Sequence, residues 1–82
     1  MQVIVTPKAL KQYNHLPKSE QAKIKKKLFA LEYNSQEGKK LSGEFEELRS
    51  IKAWPYRIIY SVNNIEKKIF IVTIAHRQGV YK

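Results

Sequence analysis

Residues 56–75 read YRIIYSVNNIEKKIFIVTIA and carry the strongest structural signal in the chain. Two runs rich in Ile, Val, Tyr and Phe, at residues 56–62 and 68–75, flank a short polar segment at 63–67. Side chains of these types favour β-strands, and a short polar connection favours an antiparallel hairpin. The stretch therefore predicts two strands paired in one sheet.

A third strand is predicted just upstream of this hairpin, at residues 46–51. The residues between it and the hairpin, Lys52-Ala53-Trp54-Pro55, read as a turn. Residues 38–43, with a glycine at each end, are predicted to form a loop. The second half of the chain is thus a run of antiparallel strands.

The first half of the chain predicts a short strand at residues 2–5 and then two helices. Thr6 is a suitable N-cap and Pro7 suits a first helical turn. The apolar residues of this helix recur every three positions: Leu10, Tyr13 and Leu16. A second helix begins at Pro17 and has a lysine-rich side. Its apolar side is formed by Ala22, Ile24, Leu28, Phe29 and Leu31. The order β-α-α-β-β-β predicts an α+β fold with a helical hairpin on one face of a small antiparallel sheet.

Length and charge limit the classes of function. We expect the 82 residues to form one domain, 1–82. Sixteen Lys and Arg against seven Asp and Glu give a net charge of +9, which favours a polyanionic partner. No run approaches the ~20 apolar residues of a membrane span, so we expect a cytoplasmic protein without membrane contact. The absence of cysteine excludes a disulfide framework.

The three arginines are predicted to share one face of the sheet. If Arg57 pairs with Thr73, an apolar row forms on the other face: Tyr56, Ile58 and Tyr60 opposite Ile74, Val72 and Phe70. If Leu48 also meets Ile58, Arg49 lies beside Arg57, and Arg77 continues the same face past the last strand. Guanidinium groups bind phosphate oxygens in pairs, so the pattern predicts a phosphate-binding group of arginines.

The end of the chain, IAHRQGVYK at 74–82, adds groups that transfer protons. His76 and Tyr81, with Arg57, Arg77 and Lys52, supply what metal-independent RNA cleavage by a 2′-hydroxyl needs: a base, an acid and cations for the phosphorane oxygens. His76 alone also fits a structural histidine, and Tyr81 a packing residue. The carboxylates are scattered, so we predict no metal site and no cofactor.

Other candidate RNA contacts lie on the second helix and in the turn. Lys23, Lys26 and Lys27 can bind phosphates, or can simply form the solvated side of an amphipathic helix. Trp54 can stack on a base, or can belong to the core or fill the turn.

Three segments together resemble the RelE/ParE superfamily of toxins from toxin-antitoxin systems: LRSIK at 48–52, PYRIIY at 55–60 and IAHRQGVY at 74–81. The Leu16-Pro17 junction between the helices and the KLSG segment at 40–43 are similar to that family as well. The resemblance spans nearly the whole chain. The closing His-Arg-x-x-Val-Tyr pattern favours the RelE branch.

The resemblance implies a metal-independent endoribonuclease that cuts messenger RNA in the ribosomal A site, in contact with 16S and 23S ribosomal RNA, and is inhibited by an acidic antitoxin. It implies that Arg57 supports the transition state, that Arg77 is the C-terminal arginine of the family, and that Tyr81 contacts the reacting nucleotide. Lys52 matches a basic residue of the preceding strand. Where the family has neighbouring lysines this chain has Leu48 and Ser50, so the base is open among His76, Tyr81, Lys52 and Glu46. Two alternatives also remain open: a ParE-type inhibitor of DNA gyrase, and a nucleic-acid-binding module without catalysis.

Overall fold

The computed structural model describes residues 1–42 and 46–76, without the side chains of Ser42 and Glu46. The elements follow in the order β1 (Gln2–Val5), α1 (Pro7–Asn14), α2 (Lys18–Tyr33), β2 (Lys39–Ser42), β3 (Glu46–Ala53), β4 (Tyr56–Asn63) and β5 (Lys68–His76). The strands form one sheet in the order β1-β5-β4-β3-β2. β1 runs parallel to β5, and the other neighbouring strands are antiparallel. The predicted α+β fold is confirmed, with a mixed sheet and one strand more than predicted.

Helix α1 is held against β5 at both of its ends. Its N-cap, Thr6, accepts a hydrogen bond from the Ala9 amide and donates one of 2.6 Å to the Ile71 carbonyl. Near its other end, Gln12 Oε1 accepts hydrogen bonds from the Ile74 amide at 2.7 Å and from Thr73 Oγ1 at 3.0 Å. Since β1 pairs with β5 only as far as Ile71, α1 takes over the edge of β5 where β1 ends.

The helices cover one face of the sheet, and the core lies between them. The residues with no solvent exposure in this core are Ala9, Ile24, Leu31, Ile58, Tyr60, Val62, Ile69 and Ile71. Ala22 and Phe29, predicted on the apolar side of α2, are exposed. Each precedes a buried residue by two positions, which is roughly 200° of helical rotation. Within the described residues, neither helix is long and apolar enough to span a bilayer.

The loop predicted at residues 38–43 contains strand β2. Lys39 pairs with Ser50 and Lys40 with Arg49 before the register becomes irregular. The sequence Lys-Lys-Leu-Ser has no alternation of apolar and polar residues, so its strand conformation depends on the neighbouring β3.

The predicted register between β3 and β4 is wrong. Ile58 pairs with Ile51 and not with Leu48, a shift of three residues. The cause is a shorter connection than predicted: Ala53 pairs with Tyr56, so only Trp54 and Pro55 lie between the strands. Because side chains alternate between faces, an odd shift exchanges the faces of β3 relative to β4.

The predicted register between β4 and β5 is also wrong. It differs from the observed one by a shift and by a bulge. Arg57 pairs with Ala75 and not with Thr73, a shift of two residues that preserves the faces. Val72 is then an extra residue, because Ile59 pairs with Thr73 while Tyr60 pairs with Ile71. Beyond this bulge the faces are exchanged. Ile69 and Ile71 are therefore buried, whereas Phe70 and Val72, which were predicted for the apolar row, are only half-buried.

Candidate nucleic-acid interface

Two cations face each other across the central strands, on the side of the sheet away from the helices. Lys52 of β3 pairs with Arg57 of β4, and their neighbours Ile51 and Ile58 point into the helix-covered core. Lys52 is exposed and Arg57 half-buried. Like charges directly opposite each other destabilise a sheet. Two cations placed in this way suit an anion.

Arg49, predicted on the face of Arg57, lies on the helix-covered face because its partner is Tyr60. It is 8% exposed. Its guanidinium donates to Glu47 Oε2 at 2.9 Å, to the Gly38 carbonyl at 2.6 Å, and to both the carbonyl and the side chain of Gln36. The predicted grouping of Arg49 with Arg57 is thus wrong, and the geometry offers no ground for its predicted RNA contact.

Tyr60 binds the loop between α2 and β2, to which Arg49 is also hydrogen-bonded. Its hydroxyl accepts a hydrogen bond from the Gly38 amide at 2.9 Å and donates one to the Ser35 carbonyl at 3.0 Å. A Cβ on Gly38 would lie 2.6 Å from that hydroxyl and 2.7 Å from the Ser50 carbonyl oxygen. Burial raises the pKa of the Tyr60 phenol, although the Gly38 hydrogen bond and the Arg49 charge oppose the rise. Arg49 and Tyr60 together fix the loop at residues 34–38.

His76 ends β5 opposite Tyr56, and the two rings meet edge to face with centroids 5.5 Å apart. Arg57 pairs with the preceding residue, Ala75. Since successive residues of a strand point to opposite faces, the His76 side chain is directed away from that of Arg57. The structure thus places His76 at the same end of the sheet as the Lys52–Arg57 pair, but on the other side.

A cleft of about 610 Å³ lies between α2 and the turn that joins β3 to β4. The charged and aromatic residues that line it are Lys23, Lys26, Lys27, Glu37, Lys52 and Trp54. Trp54 is 64% exposed, so its alternative placement in the core is wrong. Four of the basic residues predicted to act on RNA therefore lie around one cleft, and Lys52 belongs both to this cleft and to the pair with Arg57.

Two predicted site residues, Arg77 and Tyr81, lie outside the described residues. Among other candidates, Glu46 begins β3 and pairs with Asn63. Its backbone is six residues from Lys52, roughly 20 Å along the strand. That distance argues against Glu46 as the base.

The sequence analysis missed the loop between α2 and β2. Glu37 lines the cleft from this loop, and Gln36 and Gly38 on either side of it are bound by Arg49. The detectable signal was Gly38 itself, because a glycine can sit where a backbone approaches other atoms too closely for a side chain. Its partners, Tyr60 and Arg49, depend on register and were not predictable.

Comparisons with known proteins agree with this fold. Residues 3–81 match the family described as ParE toxin of type II toxin-antitoxin system, parDE. The archaeal RelE in a RelE–RelB complex from Pyrococcus horikoshii OT3 superposes with a TM-score of 0.84 at 28% identity, covering 93% of each chain. Comparison with curated proteins gives no match.

Two bacterial structures show the same fold at lower identity. One is from the RelBE2 toxin-antitoxin complex of Mycobacterium tuberculosis, with a TM-score of 0.75, 22% identity, and coverage of 93% of this chain and 96% of that one. The other is from the intact RelBE complex of E. coli, with a TM-score of 0.75, 18% identity, and coverage of 92% and 94%. The chain belongs to the ParE toxin family of type II toxin-antitoxin systems, within the RelE/ParE superfamily.

Proposed function

We propose that this toxin is an endoribonuclease that cleaves messenger RNA on the ribosome. The observation that carries the proposal is the Lys52–Arg57 pair, two cations held opposite each other on the face that the helices leave uncovered. Such a pair suits the negative charge that develops on a phosphate under attack. The net charge of +9 would draw the protein to ribosomal RNA.

In the proposed reaction, the 2′-hydroxyl of one nucleotide attacks the adjacent phosphorus, and the bond from phosphorus to the 5′-oxygen breaks. Arg57 and Lys52 stabilise the charge on the non-bridging oxygens, and Arg77 adds a third cation. A base removes the 2′-hydroxyl proton and an acid protonates the leaving 5′-oxygen. Tyr81 is the proposed proton-transfer group, since the His76 side chain is directed to the other side of the sheet from Arg57. The products are a 2′,3′-cyclic phosphate and a free 5′-hydroxyl.

The likeness to RelE structures favours this activity over others of the superfamily. RelE chains from an archaeon and from two bacteria superpose on the chain over more than nine-tenths of its length. Those structures contain the RelB antitoxin or its counterpart. We accordingly propose a cognate antitoxin for this chain, acidic enough to offset its positive charge, and a place of action in the cytoplasm.

Inhibition of DNA gyrase is the second candidate, and the match to the ParE family favours it. This activity needs binding to gyrase but no phosphate chemistry. It leaves the Lys52–Arg57 pair unexplained, which is why we rank it second.

Primer extension on translating ribosomes, run beside a gyrase supercoiling assay, separates the two candidates. We expect cuts in codon register with the purified toxin, and no inhibition of supercoiling. An Arg57→Ala variant serves as the inactive control. Inhibition of supercoiling without RNA cuts would replace the proposal by the gyrase alternative. A lack of both effects would favour a binding module without catalysis.

A further inference from the structure

The cleft beside α2 is lined by residues from the helix, from the loop that follows it and from the end of β3. Lys23, Lys26, Lys27 and Ala30 line it from positions i, i+3, i+4 and i+7 of α2, which form one stripe of a helix. Ala30 leaves room at the end of the stripe nearest the loop. Lys52 adds to the lining from the end of β3. Four lysines thus contribute to the lining of one cleft.

The lining of the cleft includes one aromatic side chain, Trp54. Trp54 lies in the two-residue turn between β3 and β4 and is 64% exposed. A large exposed aromatic next to several lysines is the combination that binds single-stranded nucleic acid, because bases stack on the ring while phosphates meet the cations.

Phosphate binding alone does not explain why the lining of the cleft includes an acidic residue, Glu37. A carboxylate among lysines weakens the attraction for phosphate, yet Glu37 lines the same cleft. Its position is also fixed, since Arg49 binds both Gln36 and Gly38, and Tyr60 binds Gly38. A buried arginine and a buried tyrosine therefore hold the backbone on either side of Glu37.

We infer that this cleft binds one nucleotide of single-stranded RNA, with the base stacked on Trp54, its Watson–Crick edge bound by Glu37 and its phosphates bound by the lysines. The inference rests on the proposed function in that Lys52, shared with Arg57, would put this nucleotide next to the scissile phosphate.

The carboxylate selects guanine. A carboxylate only accepts hydrogen bonds, so it binds best to an edge with two adjacent donors. Guanine offers such an edge through N1–H and the N2 amino group. The amino groups of adenine and cytosine stand beside an acceptor nitrogen, and the single N–H of uracil stands between two carbonyls, which repel a carboxylate. Arg49 and Tyr60 are positioning residues in this account, because they act on the base only through the loop.

Binding is tested directly by tryptophan fluorescence, because Trp54 is the single tryptophan of the chain. The full chain carrying Arg57→Ala, which removes the proposed cleavage, is titrated with short single-stranded RNAs that differ in one base within a uridine background. We expect saturable quenching of Trp54 and binding roughly tenfold tighter when the variable base is guanine.

Variants then separate the three contacts, using labelled RNA and fluorescence anisotropy. Glu37→Gln should remove the preference for guanine while binding of the uridine RNA is kept or improved. Trp54→Ala should weaken the binding of every RNA about tenfold. Tyr33→Ala, which removes another exposed aromatic side chain, is the control. Lys26→Ala should lower the slope of log affinity against log salt by about 0.7, while Lys25→Ala, on another stripe of α2, should leave it unchanged.

The inference is overturned if RNA does not quench the fluorescence of Trp54, or if Glu37→Gln leaves the base preference unchanged. It is also overturned if heparin quenches this fluorescence as well as RNA does, since the cleft would then bind any polyanion. These results are independent of cleavage. Guanine-selective quenching without ribosomal cuts would contradict the proposed function but not the inference about the cleft. Normal cuts by Trp54→Ala and Glu37→Gln, with unchanged sequence preference, would contradict only the inference about the cleft.

Discussion

Arg49 and Arg57 lie on neighbouring strands of the same sheet, and the two faces give them opposite surroundings. Arg49 is buried under the helix-covered side, where carbonyl and carboxylate oxygens accept hydrogen bonds from its guanidinium. Arg57 lies on the uncovered side, directly across from another cation. The side chains are identical, so the difference comes from the register alone.

This difference separates residues that stabilise the fold from residues available for chemistry. A buried arginine with several acceptors contributes to stability because removing it leaves those acceptors and a carboxylate without a partner. A half-exposed arginine opposite a lysine faces a like charge on its own sheet face and suits an anionic ligand. The predictions below test this division, in order of decreasing expected effect.

Arg49→Ala should cause the largest loss of stability. The change leaves the Glu47 carboxylate and the carbonyls of Gln36 and Gly38 without their donor. We expect the free energy of unfolding to fall by roughly 3 kcal/mol or more, measured by urea denaturation followed by circular dichroism. A loss below about 1 kcal/mol would show that Arg49 does not hold the loop.

Gly38→Ala should be the next most damaging substitution. The added Cβ would overlap the Tyr60 hydroxyl and the Ser50 carbonyl, and a backbone atom cannot move aside cheaply. We expect a loss of about 1–3 kcal/mol by the same measurement. Gln36→Ala is the control from the same loop. It removes only the contact between the Gln36 side chain and Arg49, so we expect a smaller loss of stability. Equal stability of Gly38→Ala and the wild type would contradict the close packing of this loop.

The fold was predictable where periodicity and turn residues carried the information. Thr6 and Pro7 mark the start of α1, Pro17 separates the helices, and the apolar runs at 56–62 and 68–75 mark strands β4 and β5. Strand β2 was not predictable, because Lys-Lys-Leu-Ser becomes a strand only by pairing with β3.

The candidate site was predictable in residue type but not in arrangement. Lys52, Arg57, Trp54 and the lysines of α2 stand out by chemistry alone. Their grouping depends on a turn of two residues at Trp54-Pro55, where the sequence allowed four, and on a bulge at Val72. The run Ile-Phe-Ile-Val-Thr-Ile is apolar on both faces, so hydrophobic alternation could not fix its register. Arg49 was therefore placed on the wrong face.

Tyr60 should make stability depend on pH at the alkaline end. Burial raises its pKa in the folded state, so the unfolded chain loses the phenolic proton first as the pH rises. The contribution of Tyr60 is complete below the ordinary tyrosine pKa and declines above it, as unfolding becomes coupled to proton release. Tyr60→Phe should flatten this decline in urea denaturation between about pH 9 and 11, whereas Tyr33→Phe should not. An unchanged decline in Tyr60→Phe would contradict the assignment.

Arg57→Ala should have the smallest effect on stability. Removing one of two facing cations relieves their repulsion, and the Arg57 side chain is only half-buried. We expect the free energy of unfolding to change by less than about 0.5 kcal/mol, in contrast to Arg49→Ala. A loss as large as that of Arg49→Ala would place Arg57 among the residues that hold the fold.

The most direct test of the account is the single-turnover rate of messenger RNA cleavage on the ribosome by Arg57→Ala, under conditions where circular dichroism shows it to be folded. We predict a rate at least about 100-fold below that of the wild type, since one electrostatic stabiliser of the transition state is lost. A rate within a few-fold of the wild type would contradict the assignment of Arg57 and Lys52 to the chemistry.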